Sequence, residues 1–348
     1  MPLHFSSFPI GRTGTLPPKL VSRDETIAFA REFDPQPMHL DDAAAAKSLL
    51  GSISASGWHT CAMLMRMIWD GFLHETAGLG SPGIREVRWL KPVKPGDTLT
   101  GGYAVTDARL SAKRPDMGIV RIFYTLRNQD GAPVMTWDCT QFFVAASSTR
   151  SGRLPAGAAG ATLFAASGRL PGGESEAASK DAGTPAGNLF LEDYTPGLGI
   201  ELGSHTFTAE AITAFARLYD PQPFHLDEAA AARTYFGGLS ASGWHTAAVW
   251  MQLMVAWQFR AVRAVLARGD KPGKLGPSPG FRDMRWREPV RPGDTLTYST
   301  RVTGAEDWPG RPAWGLMTMH NEGRNQHGRA VFSFEGRVLI ERRTPLPG

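Results

Sequence analysis

Apolar residues crowd nearly every helical face of one stretch of the chain: Trp58, Cys61, Met63, Leu64, Met65, Met67, Ile68 and Trp69. A helix with so little polar surface is buried all round. A shorter helical pattern, Glu25 to Phe33, precedes it. Between the two, an alanine run follows Asp41, a residue type suited to an N-cap. After the buried helix the period changes. Four strand-like runs follow, Ile84 to Leu90, Thr98 to Val105, Ile119 to Arg127 and Pro133 to Val144. Turn signals punctuate them at Pro95-Gly96-Asp97 and at 128–131. A buried helix followed by an antiparallel meander predicts an α+β domain, its sheet wrapped around the helix.

The same pattern returns. Asp34, His39 and Trp58 recur as Asp220, His225 and Trp244 at an offset of 186. Gly83, Trp89 and Asp97 recur as Gly280, Trp286 and Asp294 at an offset of 197, so the second copy carries 11 extra residues between about 250 and 276. That period is too long for a solenoid and indicates a duplicated domain. Residues 1–145 and 189–348 form the two copies, and 146–188, rich in Gly, Ala, Pro and Ser, is expected to be a flexible linker.

Composition narrows the class. With 42% apolar and 20% charged residues in 348, the chain suits two globular domains. A net charge of +4 is no nucleic-acid signature and equally suits an anionic small ligand. Two isolated cysteines, Cys61 and Cys139, point to a reducing compartment. No signal peptide or bilayer-length apolar run is visible, so a cytoplasmic location without membrane association is expected. No His/Cys cluster has metal-site spacing. The glycine pattern at 78–83 lies between a helix and a strand, the reverse of a dinucleotide-binding context.

The chemistry-bearing element is the loop Asp-Pro-Gln-Pro-x-His-Leu-Asp, present at 34–41 and 220–227. Two prolines in each loop restrict its backbone and pre-shape it. Curling would bring Asp34 to His39 and Asp220 to His225, and such a pair can orient and deprotonate one water. With a wrapped sheet and this loop, the chain resembles the MaoC-type dehydratases, or hydratase 2, of the hot-dog fold. Gln36 and Gln222 stand where that family usually has Asn, and Trp58 and Trp244 stand where it often has Met. The resemblance implies reversible hydration of a trans-2-enoyl-CoA, with the CoA thioester as substrate and no further cofactor. It also implies an intrachain pseudo-dimer and an oxyanion hole at the amides of Gly57 and Gly243. Both glycines equally suit close helix–sheet packing.

Ser56 and Ser242 read as N-caps, and His59 and His245 as core groups with backbone partners. Trp58 and Trp244 read as core or pocket wall, and as pocket wall they favour short or compact acyl groups. Because both copies keep the Asp and the His, two working sites are expected. A hot-dog thioesterase is disfavoured because no acidic residue occurs between Asp42 and Asp70 or between Glu228 and Asp270. A non-catalytic acyl-CoA-binding protein is the remaining alternative.

Overall fold

The computed structural model describes residues 2–145, 187–308 and 310–347. The expected linker, 146–188, lies outside the described residues except for Gly187 and Asn188. Each half contributes five strands. The first half has β1 (Thr13–Leu20), β2 (Gly78–Trp89), β3 (Thr98–Leu110), β4 (Met117–Arg127) and β5 (Pro133–Val144). The second has β6 (Gly199–Thr206), β7 (Gly280–Trp286), β8 (Thr295–Asp307), β9 (Trp314–Arg324) and β10 (Ala330–Glu341). All ten join one antiparallel sheet in the order β1-β3-β4-β5-β2-β7-β10-β9-β8-β6. The order reads the same from either end, with β1 matching β6, as a pseudo-two-fold requires. This is the α+β double hot-dog expected from the sequence.

The seam between halves is β2 against β7. Ile84 faces Met284 and Val87 faces Phe281. The repeat mates Gly83 and Gly280 sit there with φ of 151° and 137°. A Cβ on either would lie 2.0 Å from a carbonyl oxygen across the seam, that of Met284 or Val87. Only glycine allows the strands to close. The pairing also removes two sheet edges that would otherwise be open to other chains.

The helices of the first half are α1 (Arg23–Phe33), α2 (Pro37–Leu40), α3 (Asp42–Ala46) and α4 (Gly57–Gly71). Their counterparts are α5 (Ala209–Tyr219), α6 (Pro223–Leu226), α7 (Glu228–Ala232) and α8 (Gly243–Ala267). Caps fix the starts. Ser22 accepts from the Glu25 amide, Ser56 from Trp58 and Ser242 from Trp244. The central helices α4 and α8 bury against the sheet in one core that spans both halves. They differ in length, 15 residues against 25, because the inserted segment continues α8.

Two strands, β1 and β6, had no sequence signal. β1 carries Pro17 and Pro18, has a register shift between Leu16 and Lys19, and buries only Leu16. Such a strand is tolerated at a sheet edge and lacks the alternation that marks a half-buried one.

Candidate active site

The loop after α1 curls as its prolines demand. The Gln36 amide bonds to the Asp34 carbonyl and Pro37 opens α2. His39 Nε2 thereby comes within 3.5 Å of Asp34 Oδ2, and in the second half His225 Nε2 lies 3.4 Å from Asp220 Oδ2. All four side chains are buried. The histidine tautomer follows from its other nitrogen. His39 Nδ1 lies 2.8 Å from the Ser54 carbonyl and His225 Nδ1 2.6 Å from that of Ser240. A carbonyl only accepts, so Nδ1 carries a proton and Nε2 is the ring nitrogen that faces the carboxylate. The two groups at this distance suit one shared water.

Two residues without an assigned site role complete each carboxylate. Ser56 Oγ donates to Asp34 Oδ2 at 2.6 Å and Gln36 Nε2 to Oδ1 at 2.9 Å. Ser242 and Gln222 repeat this at Asp220, at 2.6 and 2.8 Å. The serines therefore cap a helix and hold the carboxylate at once. Burial pushes the Asp220 carboxyl up, but His225 and the donors Ser242 and Gln222 outweigh it and keep it low. The duplication of Ser56 and Gln36 was the available signal. It pointed only to a cap and to a conservative replacement.

Gly57 opens α4 at the edge of the cavity, and among the described residues nothing accepts a hydrogen bond from its amide. A first-turn amide is free to polarise an oxygen. A Cβ at Gly57 would lie 2.6 Å from the Trp89 ring, and one at Gly243 2.2 Å from Trp286. The packing role of these glycines is therefore real, and it leaves the amide role open.

The two dyads face unequal spaces, each reaching into the opposite half. Asp34, His39 and Gly57 line a cavity of about 490 Å³ that runs under α8, past Trp250, Met254 and Trp257 to Ile200 and Val302. Asp220, His225 and Gly243 line one of about 80 Å³, with Met65, Trp137 and Cys139 of the first half. Side chains account for the difference. Tyr103 and Tyr124 fill the first half's interior, where the second half has Thr300 and Asn321. At the dyad itself, Phe224 and Phe236 stack 4.3 Å apart beside His225, where the first half has Met38 and Leu50.

Trp58 is a wall of the larger cavity. It stacks on Phe281 of the other half. Trp244 packs against Trp137, again across the seam. His59 and His245 are core groups, but without the expected backbone partners. His59 Nε2 lies 3.4 Å from Glu25 Oε1 with its ring on Phe29, and His245 stacks on Phe215. The basic residues of the inserted segment, Arg260, Arg263, Arg268, Lys271 and Lys274, line neither dyad cavity. Among the described residues no group of three or more His, Cys, Asp or Glu could hold a metal ion, and no helix is long and apolar enough to cross a membrane.

The sheet, the two central helices and the paired loops define a double hot-dog protein. The chain belongs to the family described as MaoC like domain, whose model matches residues 7–121 and again 196–314. It is 33% identical over 128 residues to the uncharacterized protein YdeM of Bacillus subtilis, a match covering 36% of this chain and 89% of YdeM. A shorter stretch of 64 residues, 18% of each chain, is 36% identical to mesaconyl-CoA hydratase of Cereibacter sphaeroides. Among solved structures, a MaoC domain protein of Chloroflexus aurantiacus superposes with a TM-score of 0.76 at 16% identity, covering 99% of this chain and 98% of that one. Rv0216 of Mycobacterium tuberculosis, described as a double hot-dog fold, gives 0.70 at 16% identity, covering 97% and 98%. At that identity the likeness shows the fold alone.

Proposed function

We propose that the chain is a hydro-lyase that adds water to a trans-2-enoyl-CoA, or removes it from the 3-hydroxyacyl-CoA, and that the Asp34–His39 site carries the turnover. One observation supports this most: a buried carboxylate and a buried imidazole converge on a mostly apolar cavity beside a free helix-start amide. In the hydration direction Asp34 and His39 hold one water by its two hydrogens. Its oxygen attacks the β-carbon, the dyad takes one proton, and a proton from the dyad goes to the α-carbon. The thioester oxygen carries the charge meanwhile, and the Gly57 amide at the positive end of α4 stabilises it.

The volume favours the first dyad. Sites for small molecules and cofactors span roughly 300–1,000 Å³, a range that includes the first cavity and excludes the second. The second dyad keeps its geometry but faces a much smaller space. A thioesterase reading finds no support on the central helices, whose one acidic residue, Asp70, is ion-paired to Arg66. The resemblance over 64 residues to mesaconyl-CoA hydratase agrees with a CoA-linked hydration.

The test is a spectroscopic screen of crotonyl-CoA and longer or branched enoyl-CoAs with the purified chain. The proposal requires loss of the conjugated thioester absorbance with at least one of them. Retained absorbance across the series, with the protein folded, refutes it.

A further inference from the structure

Phe236 forms one wall of the smaller cavity. Its ring stacks on Phe224, with centroids 4.3 Å apart. Its far edge reaches the first half, where a Cβ on Gly80 would lie 3.0 Å from Phe236 Cζ. Behind it Asp220 and His225 stand 3.4 Å apart, held by the same set of partners as the first dyad. Phe236 belongs to the segment 235–239, which forms no helix or strand.

The bonds within this segment are the same in both halves. The Phe236 amide donates to Thr234 Oγ1 at 3.2 Å, and the Leu50 amide to Ser48 Oγ at 3.1 Å. The Gly237 and Gly51 amides donate to the carbonyls of Thr234 and Ser48. What holds the segment from outside differs. The Arg291 guanidinium donates to the carbonyls of Phe236, Gly238 and Leu239. Glu228, at the start of α7, accepts from the Leu239 amide at 2.8 Å. A Cβ at Gly238 would lie 3.2 Å from both Arg291 Nη1 and Glu228 Oε1, so the two side chains close on bare backbone. Tyr235 is 7% exposed and lies under Arg114 of the first half.

None of these outer ties recurs at the first dyad. Lys94 stands where the second half has Arg291, and it is exposed. Asp42 stands where it has Glu228, and it is drawn 2.6 Å from Arg23 instead. Leu49, in place of Tyr235, is 40% exposed. Among the described residues no side chain bonds to the carbonyls of 50–53. The difference is chemical. A planar guanidinium serves several carbonyls at once, whereas an ammonium is a point donor on a flexible stem. The tied segment also carries two successive glycines, Gly237, with φ of 67°, and Gly238. Without its ties such a backbone opens locally at low cost.

We propose that Arg291 and Glu228 form a latch that holds Phe236 over the second dyad, and that releasing it opens the cavity at Asp220 and His225 to solvent. The latch is independent of the reaction proposed above. Cys139 reports on it, because it is buried and lines this cavity, while the chain's other cysteine, Cys61, lines neither cavity. Cys61→Ala, which matches Ala247 of the second half, leaves Cys139 as the sole thiol. The rate at which methyl methanethiosulfonate labels Cys139 is then measured in the full chain. Arg291→Lys should raise it about tenfold or more, the scale of one hydrogen bond to a charged group. Phe236→Ala should raise it at least as much, and Lys94→Ala should leave it unchanged. Urea denaturation of each variant gives its global stability. Arg291→Lys keeps the charge, so it keeps the test open where Phe236→Ala fails to fold. An unchanged rate in Arg291→Lys overturns the latch, and so does a rise no larger than its loss of global stability accounts for. A parent that is labelled as fast as Phe236→Ala also overturns it, because the cavity is then already open.

Discussion

Trp58 of the first half lies flat on Phe281 of the second, with ring centroids 5.1 Å apart and planes 10° apart. The ring beside the first site is thus packed by the other half of the chain. Around the pair, Trp250 and Phe334 meet Trp58 edge-on, so the second half supplies most of its surroundings. Neither half is complete alone. Trp58→Ala should destabilise the chain by about 3–5 kcal/mol, as for other large buried aromatics, measured by urea denaturation. A loss below 1 kcal/mol would show that the seam does not depend on it.

The shared sheet leads to a second expectation. A specific protease site placed in 146–186 should be cut without separating the halves, because β2 and β7 stay paired. Size-exclusion chromatography of the cut protein should give one peak at the intact mass. Two half-sized peaks would contradict the pairing.

Ser56 both caps α4 and holds Asp34. Ser56→Ala should cost about 1 kcal/mol of stability through the lost cap. It should also lower kcat by about tenfold or more, because a hydrogen bond to a charged group is worth roughly 1.5–3 kcal/mol. Stability loss with unchanged kcat would make Ser56 a cap only.

The repeat, the central helices and four strands of each half were legible because their apolar periods are strong and appear twice. The edge strands β1 and β6 were not, since an edge strand buries little and tolerates Pro17 and Pro18. Asp34 and His39 stood out from their shared proline frame. The inequality of the two sites was hidden for a different reason. It depends on Tyr103 and Tyr124 against Thr300 and Asn321, far in sequence from either dyad, and on each dyad facing the other half's interior. Only the crossing of the halves turns those differences into a large and a small cavity.

His245 gives the fold an acid-sensitive element. Burial, with His205 and His225 near, lowers its imidazole to about 3, and its Nδ1 has no partner. The unfolded chain takes up that proton near pH 6.5. Between about pH 6.5 and 3 the unfolded state holds more protons, so stability falls as pH is lowered through that window, by up to about 1.4 kcal/mol per unit. His245→Phe should lose about 2 kcal/mol less than the parent between pH 7 and 5, in urea titrations at the two values. Equal losses would show that His245 is not the group responsible.

The central claim is that one of two intact dyads does the work, and paired substitutions test it most directly. In a kcat assay on an enoyl-CoA that the chain hydrates, Asp34→Asn should lower turnover by about 10² or more. Asp220→Asn should leave it essentially unchanged, because its cavity of about 80 Å³ is far smaller than the 490 Å³ at Asp34. Equal losses from the two substitutions, or loss only with Asp220→Asn, would contradict the account.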